Sequence, residues 1–262
     1  MRKKPSPIWR ALTAWAALAL LACCATVPRD QRKNEKDPRY QYNMGLVYLN
    51  SRTSDAATMD RAIGFFLKAL SLDAKYYLAY NALGLAYSMK GDLSSATKAF
   101  EKCLDINPGF TEARNNLGNI FEALGLVDKA EVEYKKALAD ETYPSRQLPF
   151  YNLARLAYRQ DKWDQALEYV DRALRLDPRM AVAHNLKGLV LEKKDDTEGA
   201  IVSYEKAGRL VPDDMGFKLN LGLALIKAGR GGQARDILES ILQKSENSEL
   251  RKKASEALKE LK

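Results

Sequence analysis

A glycine recurs at a fixed interval with the same neighbours around it, and that interval limits the possible folds of this chain more than any other feature. Tyr80-Asn81-Ala82-Leu83-Gly84-Leu85-Ala86-Tyr87 lines up with Arg114-Asn115-Asn116-Leu117-Gly118-Asn119-Ile120-Phe121, which puts Gly84 and Gly118 34 positions apart. Each block is followed by an alanine (Ala96, Ala130), an aromatic residue (Phe100, Tyr134) and a small residue (Cys103, Ala137) at matching distances. Self-similarity at this period marks a stacked-repeat architecture, in which a unit can bury its apolar face only against its neighbours.

Six copies follow one another. Residues 38–76 carry Gly45, Tyr48, Ala62, Phe66 and Ala69, with an enlarged turn from Asn50 to Asp60. Residues 77–110 and 111–144 are the two copies above; 147–180 carry Leu153, Ala154, Ala166 and Ala173; 181–214 carry Gly188, Ala200, Tyr204 and Ala207. The sixth, 215–248, keeps Leu221, Gly222 and Ala234 but has Leu238 and Ile241 in the aromatic and small positions. The pattern resembles the tetratricopeptide repeat, a pair of antiparallel helices. The fold expected is therefore all-α: a right-handed superhelical solenoid of six such repeats with a C-terminal capping helix.

The breakers support that reading. Gly91, Gly125 and Gly229 share one repeat position, the turn between helices, where a left-handed residue is needed. Gly229-Arg230-Gly231-Gly232 is placed in the turn of the sixth repeat. Pro108, Pro178 and Pro212 fall just past second helices, where a missing N–H does no harm. Over 249–262, Leu250, Ala254, Ala257, Leu258 and Leu261 recur at helical spacing among charged residues, as a solvated cap requires.

The start of the chain has a different character. Arg2, Lys3, Lys4 and Arg10 precede an apolar run from Ala11 to Ala22. Twelve helical residues rise roughly 18 Å, short of a bilayer core of about 30 Å, so a signal peptide (1–22) is expected rather than a permanent span. Leu20-Leu21-Ala22-Cys23 resembles the bacterial lipobox, whose cysteine is acylated before cleavage in front of it. Cys24 is the poorer acceptor, since it would put Cys23 where a small residue belongs. Cleavage there removes four of the 42 Lys+Arg and none of the 34 Asp+Glu, leaving 38 against 34 and lowering the net charge from +8 to +4. Residues 23–37, the lipidated cysteine and a polar stretch, read as a tether to the membrane.

Catalytic patterns are missing from the sequence. The chain has one histidine, His184, at a first-helix packing position, and Cys103 stands where another repeat has alanine. The glycines at 229–232 are not followed by Lys-Ser or Lys-Thr, so they form no phosphate loop. No enzyme activity, metal, cofactor or small-molecule substrate is expected. Asp and Glu interleaved along the groove formed by the first helices argue against a nucleic-acid track.

What remains is recognition of a protein. In the repeat register, first helices expose Tyr42, Leu46, Leu49, Leu78, Asn81, Leu85, Met89, Asn115, Asn119, Tyr151, Arg155, Tyr158 and Asn185 toward a partner-binding groove. Glu112, Glu122, Asn152, Arg159, Leu189, Lys193, Leu219, Asn220, Leu223 and Ile226 belong to the same set. The first two repeats are apolar there, and the fourth is aromatic and basic. An asparagine stands at one of two adjacent positions in every repeat. It either grips the backbone of a bound segment or bonds to the next repeat.

The junction Asp140-Glu141-Thr142-Tyr143-Pro144-Ser145-Arg146, leading into Phe150-Tyr151-Asn152-Leu153, together with the lipobox, tether and six repeats, resembles the type IV pilus biogenesis lipoproteins of the PilF/PilW/Tgl kind, the secretin pilotins. The enlarged first turn departs from that family. The resemblance implies a non-enzymatic chaperone held by its lipid, as palmitate or a similar acyl chain, on the periplasmic face of the outer membrane. It would bind secretin subunits and promote their localisation and multimerisation. The alternative is a general periplasmic scaffold recruiting envelope proteases, cell-wall enzymes or polysaccharide-export machinery.

Overall fold

A computed structural model describes residues 35–51 and 55–261. The expected signal peptide, Cys23 and the tether as far as residue 34 lie outside the described residues. Among the described residues every regular element is helical, thirteen helices in all. They fall into two compact units, divided after Pro108.

The first unit holds α1 (Pro38–Leu49), α2 (Ala56–Leu72), α3 (Tyr77–Met89) and α4 (Leu93–Ile106). Each helix packs on the next, and α1 also touches α3. The second unit holds α5 (Thr111–Ala123), α6 (Val127–Leu138), α7 (Gln147–Arg159), α8 (Trp163–Leu176), α9 (Ala181–Lys193), α10 (Thr197–Leu210), α11 (Met215–Lys227), α12 (Gly231–Lys244) and α13 (Ser248–Glu260). Here too neighbours pack in order, and the first helices α5, α7, α9 and α11 touch one another in sequence. A row of first helices therefore forms one face of each unit.

Local chemistry sets where helices begin. Asp92, Asp196 and Asp214 accept hydrogen bonds from the N–H groups of Ser95, Gly199 and Phe217 at 2.9 to 3.0 Å, each three residues on. Those N–H groups have no partner inside their own helix, so an aspartate in front of them replaces water. Asp55 does the same for Thr58 at 2.7 Å, and α2 starts at Ala56. The enlarged first turn thus ends at Asp55, five residues before the expected limit at Asp60, because this cap closes the first turn of α2 early. Gly231 and Gly232 are likewise inside α12 rather than in the turn, since Ala234 N–H already bonds to Arg230 O. Gly229 alone is left-handed there, with φ +73°.

That turn position recurs with positive φ at Gly91 and Gly125, and also at Asp161 (58°) and Asp195 (60°). The fourth and fifth repeats therefore hold an L-residue where the second, third and sixth hold glycine, a conformation that costs roughly 1–2 kcal/mol.

Close approach between paired helices is made by small residues. Ala62, Ala96, Ala130, Ala166, Ala200 and Ala234 are all 0% exposed. A ring sits against the glycine of the first helix: a Cβ on Gly118 would lie 2.5 Å from Tyr134, and one on Gly188 2.4 Å from Tyr204. The fourth repeat exchanges both partners, with Ala154 and Val170 buried where the third has Gly118 and Tyr134. Volume is conserved across the pair rather than at either position. At the end of the second unit Leu238 and Ile241 are fully buried in one cluster with Ala254 and Ala257 of α13, so larger residues on α12 meet small ones on the cap.

Candidate partner-binding face

In the first unit the expected groove residues serve the core more than a surface. Tyr42 packs edge-on against Tyr76 with centroids 5.2 Å apart and lies 6.0 Å from Phe66. Leu46 and Leu85 are half-buried against the same cluster, and Leu78 is also half-buried. Leu49 is a correction: it was placed on the exposed face, but it is buried inside that cluster. Asn81 is buried as well. Met89, 55% exposed at the last turn of α3, is the apolar residue of this set most open to solvent.

In the second unit the polar groove residues bind one another. Asn152 Nδ2 donates to Asn115 Oδ1 and to Asn119 Oδ1, both at 3.0 Å. Asn220 Nδ2 donates to Asn185 Oδ1 at 2.8 Å. Asn115 and Asn152 are buried, so their expected exposure is corrected too. Of the two roles open to these asparagines, bonding between successive repeats is the one the geometry takes in α5–α7 and α9–α11. A buried amide must find a partner, and the next repeat brings one.

Glu122 is the centre of the larger network. Its side chain, 7% exposed, receives Arg155 Nε at 3.1 Å and Nη2 at 2.7 Å, one on each oxygen, and Arg159 Nη1 at 3.1 Å. The Tyr134 hydroxyl donates to Asn119 Oδ1 at 2.7 Å and lies 3.3 Å from Glu122 Oε2. Burial, with the Glu122 charge beside it, raises the Tyr134 phenol far above its ordinary range. Arg155 also sits 5.7 Å from the Tyr151 ring centroid. A planar guanidinium meeting a carboxylate on two bonds is a strong, directional contact. Arg155 therefore ties α7 to α5 rather than reaching outward, and Glu122, also placed on the exposed face, is buried beneath it.

The fifth repeat carries the same pair differently. The Tyr204 hydroxyl donates to Glu192 Oε2 at 2.5 Å, and burial followed by this bond raises Tyr204 as well. Nearby, Tyr158 packs on Trp163 at 5.2 Å, and Lys193 Nζ lies 5.9 Å over the Trp163 ring. Glu192, Tyr204 and Trp163 were absent from the sequence-derived set. Their signal was legible: glutamate stands four residues after the repeat glycine only in the third and fifth repeats, and only those repeats have tyrosine at the ring position. His184 is half-buried with its Nε2 3.0 Å from Pro178 O. Among the described residues no group of three His, Cys, Asp or Glu is placed to hold a metal ion. Nor is any described helix long and apolar enough to cross a membrane.

Family models for the tetratricopeptide repeat match residues 77–110, 111–139 and 151–214. These segments are tetratricopeptide repeats. The chain is 25% identical over 190 residues to the type IV pilus assembly protein PilF of Pseudomonas aeruginosa, covering 71% of this chain and 73% of that one. It is also 25% identical over 155 residues to anaphase-promoting complex subunit 3 of Schizosaccharomyces pombe, but spans only 23% of that protein's length. Among solved structures, Pseudomonas aeruginosa PilF matches with a TM-score of 0.75 at 21% identity, over 87% of this chain and 99% of that chain. PilW, described as a widely conserved type IV pilus biogenesis factor, matches with a TM-score of 0.73 at 20% identity, over 82% and 97%. At these identities the structural likeness establishes the repeat-solenoid fold.

Proposed function

We propose that this chain is a non-catalytic partner-binding protein of type IV pilus biogenesis. It is held by an acyl-modified Cys23 on the periplasmic face of the outer membrane, where it binds secretin subunits and promotes their localisation and multimerisation. The observation that carries the reading is mutual coverage. Many proteins share tetratricopeptide repeats, and the chain matches a small part of the long ones. With PilF the match takes in most of both sequences and nearly all of the solved chain. The lipobox at Leu20-Leu21-Ala22-Cys23 supports the anchor. On the first-helix face Glu122, Arg155 and Arg159 are paired with each other, which suits a binding surface better than acid–base chemistry.

The test is deletion of the gene followed by a gel for heat- and detergent-resistant secretin multimers and a count of surface pili. Loss of both is expected; normal multimers would refute the secretin role. Cys23→Ala with membrane fractionation tests the anchor separately, with release from the membrane as the expected result.

A further inference from the structure

We infer that Glu192 is the point at which an arginine of the protein partner docks on this chain, in the way that the chain's own Arg155 docks on Glu122. The inference deepens the proposed function and rests on reading the first-helix face as the partner surface.

The internal template is specific. Glu122 and Glu192 occupy the same repeat position, each beside a buried tyrosine hydroxyl. The repeat after Glu122 supplies Arg155 and Arg159. At the corresponding positions the repeat after Glu192 supplies Leu223 and Lys227. Leu223 carries no charge and is 41% exposed, and Lys227 Nζ is directed to Asp195 at 3.5 Å. Lys193, the sequence neighbour, lies over Trp163. Among the described residues no lysine or arginine nitrogen comes within ion-pairing distance of Glu192. Its Oε2 is held by Tyr204, while Oε1 accepts no hydrogen bond from them.

The surroundings favour arginine over a small cation. Leu189 and Tyr158 are half-buried near this carboxylate in the register, and Leu223 is open. Burial raises the Tyr158 phenol, and the Glu192 and Asp161 charges add to the rise. Apolar and aromatic surface suits the methylene stem and flat face of a guanidinium, which keeps its charge at any physiological pH. The carboxylate is already oriented by Tyr204, so little side-chain freedom is lost on binding.

The probe is the peptide acetyl-Ala-Leu-Arg-Leu-Ala-amide, titrated into the 15N-labelled protein alongside a second peptide with citrulline replacing arginine. Citrulline keeps the shape and loses the charge. Shifts of the amides around Glu192 and Tyr204 are expected, with affinity for the arginine peptide roughly tenfold higher, the value of one charge-assisted hydrogen bond. Glu192→Gln should remove that difference. Leu223→Arg supplies from within the group the partner would bring, and should block the peptide while leaving the fold intact by circular dichroism. Equal affinity for the two peptides, or wild-type binding by Leu223→Arg, would overturn the inference. Neither result depends on secretin, so arginine selectivity in a protein whose deletion leaves multimers normal would reject the pilus reading alone.

Discussion

The third and fifth repeats place the same tyrosine against the same glutamate, yet one carboxylate is sealed and the other is open. The difference is made by the following repeat: Arg155 and Arg159 on α7 close over Glu122, whereas Leu223 and Lys227 on α11 leave Glu192 with its tyrosine. A stacked-repeat protein thus uses one polar device in two ways. Completed from within, it locks two repeats together; left incomplete, it offers a charge to something outside.

The largest effect should come from opening the sealed site. Arg155→Met leaves Glu122, 7% exposed, with Arg159 alone, and breaking a buried charge pair of this kind costs about 3 kcal/mol. Urea unfolding should show that loss, and Glu192→Gln should cost well under half as much. Equal costs would mean that the two glutamates are not distinct in kind.

Next is the ring that positions each glutamate. Gly188→Ala would press a Cβ within 2.4 Å of Tyr204, and Gly118→Ala would do the same to Tyr134 at 2.5 Å, each costing about 1–3 kcal/mol. In the fourth repeat Ala154 already has its compensation in Val170. There Val170→Tyr alone should destabilise by a similar amount, and adding Ala154→Gly should recover much of it in a double-mutant cycle. No recovery would show that volume is not exchanged within the pair.

A smaller gain should follow from relieving the turns beside Glu192. Asp161→Gly and Asp195→Gly remove the left-handed L-residues at φ 58° and 60°, and each should stabilise by roughly 0.5–1 kcal/mol in thermal unfolding. Asp195→Gly also releases Lys227, the counterpart of Arg159. If Lys227 then turns to Glu192, arginine-peptide affinity should fall, which sharpens the comparison.

The weakest effect is acid sensitivity. The Ser95 N–H holds the Asp92 carboxyl below its ordinary value of 3.8, and hydrogen bonds from Thr111 and Thr142 do the same for Asp140. A carboxyl lowered on folding contributes stability that is complete above pH 4 and fades as pH drops through the folded value. Asp92→Asn and Asp140→Asn should therefore flatten the decline of stability below pH 4, each by giving up at pH 7 to 8 the small contribution that the carboxylate makes there.

Much of the fold was legible because packing in a repeat is periodic. Gly84, Ala96 and Phe100 mark one close approach, and their copies mark the others whatever the surface does. The candidate face was less legible. Leu49, Asn81 and Asn115 have the register of an exposed face, but whether such a residue meets water depends on what the next helix brings. Asn152 covers Asn115, and Arg155 covers Glu122, from positions 37 and 33 residues away. The pairing of Tyr204 with Glu192 lay open in the sequence, because both sit within one repeat.

The sequence by itself determined the helical pairs, their turns and the size-matched contacts between them, because each depends on residues within about one repeat length. Only the tertiary structure decided which polar groups are consumed and which are left. Burial of a charge depends on a neighbour's side chain, and that neighbour is set by stacking rather than by spacing along the chain.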